Sequence, residues 1–283
     1  MMNIEQRNLT IRKAVIFIFY WLTMYYLAIF LQFIIARILY PNLNLVMIED
    51  WPQEALMHIS FASNFYIYAF LTIIFLVVLW PYYREEWAIF KYNLSQNIRA
   101  GISFYFIAII VSSVINLILA IIGITVKDSQ NQEIIANAME GYAYYMVPAV
   151  LMAPFVEETI FRGLIFDFFN RTKLNEKQKT ILSFATSIFL FAIIHVLAEL
   201  FQNPLDALVT GIPYIVMGVV LCTVYYKTKS LFAAVLTHFL QNFIASILLL
   251  LLNWLEVAPP SLESTGFHFI QELLQAVSIN ILG

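Results

Sequence analysis

Two adjacent carboxylates, a guanidinium and two imidazoles stand in stretches otherwise built from Leu, Ile, Val, Phe and Ala. Glu157, Glu158 and Arg162 share one apolar run, His195 lies in a second, and His238 lies in a third with Asn242 four residues on. An ionisable group inside a lipid-embedded helix costs roughly 2.5–3.5 kcal/mol on insertion scales, so such groups are rare and tend to be functional. Glu158 and Arg162 are spaced i,i+4 and so share a helix face, where they can pair. That leaves Glu157, about 100° round the helix, as the carboxylate free to take a proton from water. His238 and Asn242, again i,i+4, can offer hydrogen bonds to one oxygen, as an oxyanion hole requires. These types fit acyl transfer to water. The competing reading is that they only stitch helices together as polar glue.

The elements that must carry these residues follow from composition. Of 283 residues, 62% are apolar or aromatic and 12% charged, with a mean hydropathy of +0.82. A soluble domain is nearer half apolar and about a quarter charged. Lipid must therefore be the solvent for much of the chain. A soluble enzyme and a disordered chain are excluded, and one cysteine excludes a disulfide scaffold. A net charge of −3 gives no electrostatic case for nucleic acid.

The expected fold is all-α, a polytopic transmembrane helical bundle of about seven spans. They are 14–36, 60–82, 102–126, 142–169, 180–200, 205–226 and 230–255. Loop charges test that count. Twelve of the fifteen basic residues, including Arg12, Lys13, Arg84, Lys91, Lys177 and Lys229, fall on alternate loops. This puts the N-terminus in the cytoplasm and the C-terminus outside, in a multi-pass cell-membrane protein. The first span is too long for a signal peptide and reads as a retained anchor. The chain divides into a three-span region over 1–141, a four-span core over 142–257 and an external tail over 258–283. In the tail, Phe267, Ile270, Leu274, Val277 and Ile281 keep helical spacing, which suggests a short interfacial helix.

Helix rise places Glu157 roughly 20 Å, His195 roughly 22 Å and His238 roughly 12 Å from the inner ends of their spans. The midplane of a core about 30 Å thick lies between these depths, so one shared site is expected. Pro154 has no N–H, so the carbonyl of Val150 loses its helical partner and a kink is expected there. Pro213, between Gly211 and Gly218, is expected to act likewise in the sixth span. His58 and His268 fall in external segments and receive no role. Cys222 reads as a small apolar residue.

Three stretches resemble a known family when read in order. Glu157-Glu158-Thr159-Ile160-Phe161-Arg162 reads E-E-x-x-x-R, Phe191 to His195 reads F-x-x-x-H, and His238 to Asn242 reads H-x-x-x-N. This order is similar to the motifs of the CAAX protease and bacteriocin-processing (CPBP, or Abi) family. The resemblance covers roughly 142–248. It implies an intramembrane endopeptidase acting on a membrane-associated or lipidated peptide or protein. By motif, Glu157 would activate water with help from His195, and His238 and Asn242 would hold the oxyanion. Glu158 and Arg162 would support them, with Phe191 opening the second motif.

The family has also been described as metalloproteases. H-E-x-x-H is absent, so no metal or other cofactor is expected. Zinc held by Glu157, His195 and His238 is the alternative. Two rivals to catalysis remain. One is a non-catalytic bacteriocin-immunity or scaffold protein of the same family. The other is a proton-coupled transporter, which would call for inverted repeats that the sequence lacks.

Overall fold

A computed structural model describes residues 4–44, 51–124 and 129–257. Every regular element among them is helical, as the apolar runs require. Helix α1 (Ile4–Leu22) continues through a π-turn, Thr23–Leu27, into α2 (Ala28–Leu39). Helices α3 (Gln53–Val78), α4 (Trp80–Tyr92) and α5 (Leu94–Ile121) follow, and then the short α6 (Gln130–Gly141). Helix α7 (Ala143–Glu158) runs directly into a π-helical segment, Thr159–Phe166. The described residues end in α8 (Glu176–His195), α9 (Leu197–Gln202), α10 (Pro204–Thr210), α11 (Ile212–Thr228) and α12 (Leu231–Val257). The tail expected to hold an interfacial helix lies outside the described residues.

Among the described residues, four helices are long and apolar enough to cross a membrane: α3, α5, α8 and most of α12. The pair α10–α11, bent by 44°, makes a fifth if taken as one span. The expected first and fourth spans are divided by π-helical turns, so neither is one uninterrupted α-helix. The expected fifth span is shorter than its apolar run, because α8 stops at His195.

Local chemistry sets these boundaries. Ser129 and Gln132 form a capping box at the start of α6, and Asn175 and Gln178 form another at α8, satisfying otherwise orphaned N–H groups. Prolines 81, 204 and 213 occupy first-turn positions, where a missing N–H costs nothing. The break that Pro213 was expected to produce falls just before it, at Gly211. Pro154 behaves differently. Helix α7 passes through both Pro148 and Pro154, and its irregular backbone begins after the glutamates.

The main core joins both ends of the chain. Ile16 and Tyr20 of α1 and Leu71 and Phe75 of α3 are buried against Val156, Ile160 and Phe161. Phe191, Leu221 and Leu231 complete the same cluster from α8, α11 and α12. Helix α3 packs more extensively on α7 than any other pair of helices does. Outward faces carry Ile73, Val77, Ile110, Leu117 and Phe189, all exposed. A surface this apolar suits lipid.

Candidate active site

The glutamates end α7, and the segment that follows them and carries Arg162 is a π-helix, whose wider turns loosen the backbone ladder. Neighbouring side chains compensate. Ser187 donates to the Phe161 carbonyl at 2.9 Å, Ser183 to that of Phe166 at 2.8 Å, and Lys13 to that of Gly163 at 3.0 Å. Thr159 donates to its own turn at Phe155 and meets the Tyr83 hydroxyl at 2.9 Å. Side chains of two neighbouring helices, α1 and α8, thus hold a backbone that would otherwise expose unpaired carbonyls to an apolar core.

Glu158 and Arg162 form the expected pair, both fully buried. Arg162 Nη1 donates to Glu158 Oε1 at 2.8 Å, and its Nη2 reaches the Gly218 carbonyl at 3.3 Å. The same Oε1 accepts from His238 Nδ1, also at 2.8 Å. The guanidinium lies over the Phe191 ring, 4.7 Å from its centroid, a favourable cation–π placement. Gly218 also marks a close approach of α11 to α8, where an added Cβ would stand a tight 3.3–3.4 Å from Ile188.

Glu157 stands apart from that pair, as its position round the helix requires. It is 4% exposed, and its Oε1 accepts from the Tyr68 hydroxyl at 2.9 Å. Its Oε2 makes no hydrogen bond and lies 3.7 Å from His195 Nε2. The His195 ring is oriented by Nδ1, which donates to the Phe191 carbonyl at 2.7 Å, and by Tyr214 stacked at 4.5 Å. The two histidines are thereby held alike. With Nδ1 as donor in each, Nε2 is the acceptor of the neutral ring and is left for the cavity.

Asn242 has a job that its spacing did not announce. Its Nδ2 donates at 2.8 Å to the carbonyl of Val150, the group that Pro154 leaves without a helical partner. One amide N–H thus ties α12 to α7, and the other remains for the cavity. Glu157, His195, His238 and Asn242 all line one cavity of about 410 Å³. The sequence-derived residues therefore converge, with Phe191 beneath both imidazoles. Among the described residues, no three His, Cys, Asp or Glu side chains are grouped so as to hold a metal ion.

Tyr68 and Tyr214 are the contacts that sequence reasoning missed. Both belong to a set of sixteen tyrosines, and neither falls in a recognisable motif. The one available signal was Asn64, an amide in an apolar span one turn before Tyr68; it lines the same cavity.

The fold and site define a membrane-embedded all-α protein with a buried glutamate–histidine centre. A family model described as "Type II CAAX prenyl endopeptidase Rce1-like" matches residues 137–244. The match is consistent with the CPBP family, and the matched segment contains all three motifs. No curated protein and no solved structure matches the chain.

Two stability measurements probe this network. Arg162→Met strands a buried carboxylate and is expected to cost about 3–5 kcal/mol. Glu157→Gln keeps an acceptor for Tyr68 and is expected to cost under about 1 kcal/mol. Unfolding in detergent ranks the two, and equal losses would contradict the division of roles between the glutamates. Asn242→Leu should cost about 1–3 kcal/mol by orphaning the Val150 carbonyl. In a Pro154→Ala background, which restores an N–H to that carbonyl, most of the loss should vanish. Strict additivity in the double-mutant cycle would refute the link.

Proposed function

We propose that the protein is an intramembrane endopeptidase that hydrolyses a peptide bond of a membrane-associated or lipidated peptide or protein. The match to type II CAAX prenyl endopeptidases supports a lipidated C-terminal tail as the substrate class. One observation carries the reading. Glu157 Oε2, buried and without a hydrogen bond, lies beside the unprotonated Nε2 of His195 at the cavity wall. Two acceptors 3.7 Å apart can take both protons of one water. The water oxygen then keeps a lone pair for the substrate carbonyl.

Glu157 takes one proton as the water attacks, and the carbonyl oxygen becomes an oxyanion. The free amide N–H of Asn242 holds that charge, and His238, its ring fixed by Glu158, adds an Nε2–H donor when that nitrogen carries a proton. Collapse of the intermediate breaks the C–N bond, and the proton on Glu157 passes to the leaving amine. Glu158 and Arg162 act through His238, fixing its ring. No step is routed through a metal, since the donor set is not grouped for one. The loop charges support a cytoplasmic N-terminus and an external C-terminus.

The test is cleavage of a library of lipidated and unlipidated peptides by protein reconstituted in liposomes, read by mass spectrometry. Wild type should cleave with or without a chelator, and Glu157→Gln should lose at least on the order of 10²-fold in rate. Equal turnover by that variant sinks the glutamate assignment. Loss on chelation, restored by zinc, reverses the metal-free reading. Silence from both proteins moves the weight to a binding role in immunity or scaffolding.

A further inference from the structure

We propose that Tyr68 is a positioning residue for Glu157 and that it decides which carboxylate oxygen faces water; the proposal rests on the peptidase reading above. The two oxygens of a glutamate are chemically equivalent, and rotation about the last side-chain bond exchanges them. A base that must meet water, His195 and a substrate carbonyl at once cannot be left to rotate, because a misplacement of about 1 Å can cost on the order of 10² in rate. The Tyr68 hydroxyl removes that freedom. It donates to Oε1 at 2.9 Å, and Oε2 is the oxygen that remains unbonded beside His195.

Tyr68 is itself placed by packing on both sides along α3. On one side Phe61 is buried against Met146 and Val150 of α7. On the other, Leu71 and Phe75 are buried against Val156 and Ile160. The hydroxyl is therefore delivered from a helix fixed against the one that carries Glu157. It comes from outside the matched domain, which begins at residue 137. The site is incomplete without the N-terminal region, which also contributes Tyr20, Trp21 and Asn64 to the cavity wall.

The test is Tyr68→Phe, which keeps the ring and removes only the hydroxyl. In liposomes, kcat should fall roughly ten- to a hundredfold while KM stays within about twofold. A residue that merely packs would not produce that split. A second measurement needs no turnover. The infrared carboxylate bands of Glu157, identified by their loss in Glu157→Gln, should shift in Tyr68→Phe as a charge-assisted hydrogen bond disappears. Wild-type turnover with unchanged kcat and unmoved bands in Tyr68→Phe would overturn the role of Tyr68 and leave the peptidase reading standing. Absence of turnover in wild type, whatever the bands do, overturns both.

Discussion

One carboxylate oxygen, Oε1 of Glu158, organises the protein. It accepts from Arg162 of its own helix and from His238 of α12, each at 2.8 Å, in a place with no exposure to solvent. Burying an ion costs several kcal/mol unless its partners compensate. The partners here do more than neutralise. Arg162 continues to the Gly218 carbonyl on α11 and spreads its charge over Phe191 on α8. A single buried charge thus requires four helices to meet at one point. Apolar packing brings helices together in lipid but does not specify their rotation, whereas this network does.

That constraint explains the irregular backbone. Beginning at Thr159, the wider turns carry Arg162 while three neighbours catch the loosened carbonyls. One of those neighbours is Lys13, which also pairs with Asp167 at 3.5 Å and lies over the Tyr82 ring at 4.0 Å. The first helix is therefore joined by polar contacts to the segment that carries the motif. Irregular backbone in membranes survives only where protein or water satisfies it, and here protein does so.

The sequence made the polar constellation legible because lipid penalises every ionisable residue that lacks a purpose. Glu157, Glu158, Arg162, His195 and His238 stand out against apolar runs, and helical periodicity alone pairs Glu158 with Arg162. Span boundaries were less readable. Hydropathy does not distinguish an α-turn from a π-turn, so the divisions at Thr23 and Thr159 left no mark in composition. Nor does it mark a helix that stops inside an apolar run, as α8 does at His195. Pro154 was read correctly as a lost hydrogen bond, and α7 continues through it. The chain repairs the loss from another helix through Asn242, and that repair depends on tertiary contact. Tyr68 was invisible for a related reason. A tyrosine in an apolar helix is ordinary, and only the neighbour it meets makes it notable.

The adjacency of the two glutamates now has a physical explanation. Consecutive helical residues point about 100° apart, so one turn can serve two environments. Glu158 faces the interior, where Arg162 and His238 saturate one of its oxygens. Glu157 faces the cavity, where one oxygen is held by a neutral hydroxyl and the other by nothing. Had the reactive carboxylate faced the guanidinium, its charge would be committed to an ion pair and its basicity reduced. Had the structural carboxylate faced the cavity, His238 would have lost the acceptor that fixes its ring. The separation by one residue keeps both conditions within a single helix turn, which lets one rigid element supply the site's support and its reactive group together.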